Sequence, residues 1–116
     1  MHKGQQLKKL ETSEGRIPFD EWYFSLKDKR VRALVAARLL RIRTGNLGDV
    51  KSLGQGIFEF RIHFGPGYRI YFGKVNRTII ILLCGGSKNT QKRDIEIATD
   101  LWKRYKYEIE RFIQDV

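Results

Sequence analysis

The segment Phe58–Gly73, FEFRIHFGPGYRIYFG, sets large apolar side chains and polar ones at alternate positions on both sides of a Gly65-Pro66-Gly67 break. Alternation of period two marks a strand with one buried face. So short a break leaves only an antiparallel hairpin. Two registers compete. With Phe64 opposite Tyr68, the residues Phe58, Phe60, Ile62, Phe64, Tyr68, Ile70 and Phe72 share one face, while Glu59, Arg61, His63, Arg69 and Tyr71 share the other. A two-residue turn at Pro66-Gly67 slips the pairing by one and drives Arg69 in among the phenylalanines, which costs several kcal/mol for an unpaired buried cation. The first register is therefore expected, with His63 opposite Arg69 and Arg61 opposite Tyr71.

Working outward, Thr78–Cys84 is a second strand after a turn at Val75-Asn76, and its TIIILLC run is apolar on both faces. That places it in the middle of a sheet. Asp49–Leu53 precedes the hairpin as a short strand, so the sheet is expected to be an antiparallel meander. Upstream, Pro18 with Asp20 and Glu21 opens a short helix whose Phe19, Trp22 and Leu26 share a face. Asp28 caps a longer helix to about Thr44, with Val31, Leu34, Val35, Leu39 and Ile42 inward and Arg30, Arg38 and Arg41 outward. Residues 1–12 offer only Leu7 and Leu10 as anchors, and read as a short edge strand. After the sheet, Asn89 or Thr90 caps a helix on which Ile95, Ala98, Trp102, Tyr105, Ile109, Phe112 and Val116 recur at steps of three and four. Continued to the last residue, that helix is about 40 Å long. The expected fold class is α+β: two N-terminal helices packed on an antiparallel meander sheet, followed by a long C-terminal helix.

A chain of 116 residues with 41% hydrophobic content supports one core, so residues 1–116 form a single domain, with a helical extension at about 104–116. The net charge of +10 invites phosphate, acidic protein or anionic lipid. The single cysteine, Cys84, has no partner for an internal disulfide, and no zinc-type spacing of cysteine and histidine occurs. No metal, no cofactor and a reducing compartment are expected. No charged-then-apolar leader opens the sequence and the longest apolar run is too short to span a bilayer, so a soluble cytoplasmic protein without membrane contact is expected.

On periodicity alone the Glu59–Tyr71 face is as well explained by solvation as by function. Its charges favour a site. Arginine opposite histidine, with a second arginine one rung away and only Glu59 to neutralise them, is poor self-pairing. Lys51 and Lys88 reach the same rim, and Gly85-Gly86 allows backbone amides to approach a ligand. A phosphodiester suits such a surface.

GNLGDVK (45–51), the hairpin segment itself and CGGSKNTQKRDI (84–95) carry a resemblance to the RelE/ParE toxin superfamily, and within it to the phage-derived, HigB-like addiction-module killer proteins. The resemblance runs from about Ile17 to Trp102. It implies a type II toxin held by a cognate antitoxin, a small acidic or helix-turn-helix protein, and for this branch a metal-independent, ribosome-dependent endonuclease of mRNA. By that resemblance Arg61, Arg69 and Lys88 hold the scissile phosphate. Glu59 stands where RelE has a lysine, and Lys92 or Arg93 where a helix tyrosine is expected. His63 is a candidate acid or base by its chemistry. Lys51, Tyr71, Lys92 and Arg93 are candidate RNA contacts, with Tyr71 able to stack on a base. The same fold also serves ParE-like proteins that inhibit gyrase without catalysis, and the charge alone permits a non-catalytic nucleic-acid-binding module. The stripe from Ile109 to Val116 either packs on the protein's own sheet or associates with antitoxin or a second copy.

Overall fold

A computed structural model of the chain describes residues 4–116. The first three residues of the expected N-terminal strand lie outside the described residues. The elements in chain order are β1 (Gln6–Leu10), α1 (Pro18–Ser25), α2 (Lys29–Arg43), β2 (Val50–Gly54), β3 (Ile57–Ile62), β4 (Tyr68–Val75), β5 (Ile79–Ser87), α3 (Gln91–Tyr105) and β6 (Ile113–Asp115). Short 3-10 turns at Lys88–Thr90 and Lys106–Arg111 flank α3.

The fold is α+β, with one six-stranded sheet in the order β2-β3-β4-β5-β1-β6. Strands β2 to β5 form the expected antiparallel meander. The whole sheet is mixed, because β1 runs parallel to β5 and antiparallel to β6. The N-terminal segment is therefore an interior strand, not the edge its few anchors implied. Leu7 and Leu10 nevertheless hold it, both buried but on opposite faces. The apolar run in β5 is central as expected, and its two faces feed two cores: Ile80 and Leu82 pack under α1 and α2, Ile81 and Leu83 under α3.

Pro18 begins α1 at its first turn, where a missing N–H removes no helical bond. The Asp28 carboxylate caps α2 by accepting the Arg30 N–H at 2.9 Å. Two assignments within α2 exchange places. Leu34 is partly exposed, whereas Arg38 is only 9% exposed. Val31, Val35, Arg38 and Ile42 follow one another at steps of four, three and four, so the arginine lies on the inward stripe and finds a backbone acceptor there.

The hairpin partitions its side chains as expected but at a different register. Ile62 faces Tyr68, Arg61 faces Arg69 and Glu59 faces Tyr71. The connection spans residues 63–67 and folds Phe64 into a turn closed by the Gly67 N–H on the Phe64 carbonyl at 3.0 Å. A slip of two positions preserves which face each residue occupies, which is why the apolar partition survives. Phe58, Phe60 and Phe72 stack together on the α1–α2 side.

The tail also departs from the expected helix. The α-helix stops at Tyr105, the 3-10 turn that follows contains a non-helical Glu108, and β6 then pairs antiparallel with β1 through Lys8–Asp115 to Leu10–Ile113. The extension is a returning edge strand, not a continued helix. Tyr105 and Ile109 are buried in the α3-side core, so the tail packs on its own sheet. No helix among the described residues is long and apolar enough to cross a membrane.

Candidate functional site

The end of the β3–β4 hairpin and the turn entering α3 enclose a cleft of about 440 Å³ lined by Arg61, His63, Arg69, Lys88 and the 64–67 loop. The Lys88 N–H donates to the Gly67 carbonyl at 3.0 Å, which fixes the α3 entry against the hairpin loop. Four residues singled out from the sequence thus line one cavity.

Two arginines directly opposite on adjacent strands repel unless each has its own counter-charge. Arg69 lies beside Glu59, with Nε 3.6 Å from Oε2. That separation supports charge attraction and is too long for a hydrogen bond. The carboxylate is almost fully buried and the Arg69 side chain is 13% exposed. Gln91 of α3 points its amide at the same Glu59 oxygen from 3.4 Å.

Arg61 has a counter-charge that sequence reasoning missed. Its Nη2 donates to Asp49 Oδ1 at 2.8 Å, and His63 Nε2 lies 2.6 Å from the other oxygen of the same carboxylate. These bonds, that from Arg61 foremost and that with His63 next, pull the Asp49 pKa from its ordinary 3.8 to about 2. At neutral pH Asp49 is therefore ionised and can only accept, so the bonded imidazole nitrogen carries the proton. Nδ1 is the ring nitrogen that the carboxylate does not contact. An imidazole oriented by a carboxylate, beside arginines, is suited to move a proton at a phosphate.

Asp49 is itself held by its backbone. Its carbonyl accepts the Arg61 N–H at 3.0 Å and Arg38 Nη2 at 3.1 Å. Burial lowers the Arg38 pKa, yet the guanidinium remains a cation stacked near the Phe60 ring. Gly48 makes the approach possible: its φ is +67°, and a Cβ there would sit 2.8 Å from Cζ of Arg38. In the sequence, the one signal for Asp49 was an acid placed among cations at the mouth of β2, and it read as the start of a strand.

The remaining candidates are not brought into the cleft. Lys51 is exposed on β2 opposite Glu59 and does not border the cavity. Lys92 and Arg93 are exposed in the first turn of α3 and line a separate shallow hollow with Asn89, Thr90 and Glu96. Tyr71 is fully buried under α3, which removes it from base stacking, and burial raises its pKa. The face expected to be solvated is covered by α3 at this depth. Gly85 and Gly86 are likewise filled from within, by the Trp22 ring and the Asp94 carboxylate, and offer no open backbone to a ligand. Cys84 is buried, and its thiol is pushed up to about 12, so it is unreactive at neutral pH.

The arrangement gives a basic chain a cleft lined by three cations and a histidine, with the Asp49 and Glu59 carboxylates outside the lining and paired to Arg61, His63 and Arg69. A profile described as "Phage derived protein Gp49-like (DUF891)" matches residues 21–103, and the chain belongs to that family. A Haemophilus influenzae relative, itself described as an uncharacterized protein, is 49% identical over 82 residues, which is 71% of this chain and 83% of the relative. The matched profile takes in Asp49, Arg61, His63, Arg69 and Lys88, while β1 and β6 lie outside it.

Proposed function

We propose that the protein is the toxin of a type II toxin-antitoxin module and that its cleft cleaves mRNA on the ribosome without a metal. The observation that carries this reading is His63, 2.6 Å from Asp49, lining one cavity with Arg61, Arg69 and Lys88. Membership of a phage-derived family and the +10 charge support it.

In this reading the scissile phosphate sits between the two guanidiniums and Lys88. The ribose 2′-oxygen attacks phosphorus, His63 Nδ1 takes the 2′-hydroxyl proton, and the bond to the 5′-oxygen breaks. The products are a 2′,3′-cyclic phosphate and a 5′-hydroxyl, the latter protonated by Lys88 or by water. The arginines stabilise the extra negative charge on the phosphoryl oxygens as it develops. Asp49 holds the imidazole in the tautomer that leaves Nδ1 free. The partner in this reading is an acidic antitoxin that neutralises the cleft, and the site of action is the cytoplasmic ribosome.

Arg61→Ala and Arg69→Ala test the proposal. Each removes a phosphate-binding cation, and a loss of about a hundredfold or more in cleavage is expected. Primer extension on message from translating ribosomes shows whether cuts occur in register with codons. Full toxicity of either variant overturns the phosphate site. Stalled gyrase on DNA with intact message transfers the protein to the ParE-like class, and growth arrest with neither leaves only nucleic-acid binding.

A further inference from the structure

The α1–α2 layer presents a second surface with no part in the cleft. Phe24 at the end of α1 is 74% exposed and Leu40 of α2 is 65% exposed. An isolated exposed apolar residue is ordinary, but Phe24 borders a groove of about 210 Å³ whose lining includes Phe19, Tyr23, Ala36, Leu39 and Val116. The charged side chains in that lining, Lys9 and Asp20, neutralise each other at 3.0 Å. The trough is therefore apolar in effect. It shares no lining residue with the cleft.

The surroundings decide the occupant. Helix α2, which supplies one wall, carries no acidic residue; its Lys29, Arg30, Arg32, Arg41 and Arg43 lie outside the core, while Arg38 is turned inward to the Asp49 carbonyl. A second copy of the chain would set this cationic helix against its own like. RNA would satisfy the charge and leave Phe24 and Leu40 without apolar contact. What complements both features is a helix with an apolar stripe and acidic flanks. We infer that the α1–α2 groove receives an acidic amphipathic helix of a separate protein. A partner seated there leaves Arg61, His63 and Lys88 uncovered, so its binding is separable from any chemistry in the cleft.

The test uses the full chain, isotopically labelled, and a synthetic helical peptide with leucines on one stripe and glutamates on its flanks. A second peptide carries lysine for glutamate. Binding of the acidic peptide should shift the resonances of Phe24, Ala36, Leu40 and Val116. Phe24→Ser and Leu40→Ser should each weaken it about tenfold or more, the usual effect of removing an anchoring side chain. Both side chains are exposed, so unchanged melting temperatures are expected for the two variants. The lysine peptide should not bind. Shifts confined to Arg61 and His63, equal binding of the two peptides, or a single-stranded RNA oligonucleotide that moves the Phe24 and Leu40 resonances would each overturn the inference. So would Phe24-dependent dimers in sedimentation equilibrium without peptide. Because none of these measurements reads RNA cleavage, the inference and the proposed activity fail independently.

Discussion

Gly48→Ala asks whether the turn that carries Asp49 depends on the Arg38 guanidinium lying against bare backbone. Two costs add. An L-residue in the left-handed region loses about 1–2 kcal/mol, and Gly48 has φ +67°. The new Cβ would also stand 2.8 Å from both Cζ and Nη2 of Arg38, so the guanidinium must move off. It then gives up its bond to the Asp49 carbonyl, about 1.5–3 kcal/mol for a charged donor. The sum is about 2.5–5 kcal/mol. At about 4 °C per kcal/mol for a domain of this size, the melting temperature should fall by about 10–20 °C. Gly15→Ala is the control: its φ is +82° but nothing lies within 4 Å of the added Cβ. It should show the backbone cost alone, about 4–8 °C. Thermal unfolding followed by circular dichroism measures both. In the double variant Gly48→Ala with Arg38→Ala the clash is gone, so the loss should fall short of the sum of the single losses by about 1 kcal/mol or more. Equal effects of Gly48→Ala and Gly15→Ala, or strict additivity in the double variant, would refute the reasoning.

Three further outcomes are expected. Glu59→Ala strands the nearly buried Arg69 cation without its carboxylate, and urea unfolding should report a loss of about 3 kcal/mol, whereas Glu59→Gln, which keeps a polar acceptor, should lose less. Asp49 has a pKa depressed from 3.8 to about 2, so its contribution to stability is complete above about pH 4 and disappears as pH falls through 2. Native-state melting between pH 5 and 2 should therefore lose less stability in Asp49→Asn than in the parent, and an identical acid profile would contradict the assigned ion pair. Truncation after Lys106 removes β6 and the buried Ile109, at least about 2 kcal/mol of apolar burial alone, and should lower the monomer's melting temperature clearly. Unchanged stability would mean that the returning strand is not part of the folded unit.

Local chemistry made the helices and the partition of the hairpin legible: Pro18 and Asp28 announce starts, and period two sorts Phe58 through Phe72 onto faces whichever even slip the turn produces. Opposing pairs were not legible, because they depend on how many residues the turn consumes. Burial of Tyr71 and Glu59 follows from α3 lying over the second face, a placement that no pattern inside β3 or β4 encodes. The tail misled for the same reason. Tyr105, Ile109 and Phe112 keep a helical period, yet pairing of residues 113–115 with β1 competes against helix continuation, and the non-local partner prevails. Arg38 was readable from its steps within α2, and the preference for solvating a cation hid it. The cleft residues were found by charge, and Asp49 was missed because one carboxylate serves two partners that lie twelve and fourteen residues farther along the chain.

The position of β1 has a consequence for how the molecule comes into being. Gln6 pairs with Ile79 and Leu10 with Ile113, so the strand synthesised first must wait for partners about seventy and about a hundred residues later. Contacts so distant in sequence carry a large loop-closure cost before they return any stabilisation, which slows folding relative to the local helices and hairpins. As the chain leaves the ribosome, α1 and α2 can form early, but β1 has no strand to join until β5 emerges, and one of its edges remains open until residues 113–115 follow. A nascent chain stalled before residue 79 would hold both early helices and an unpaired strand with Leu7 and Leu10 uncovered, a state exposed to proteolysis and aggregation.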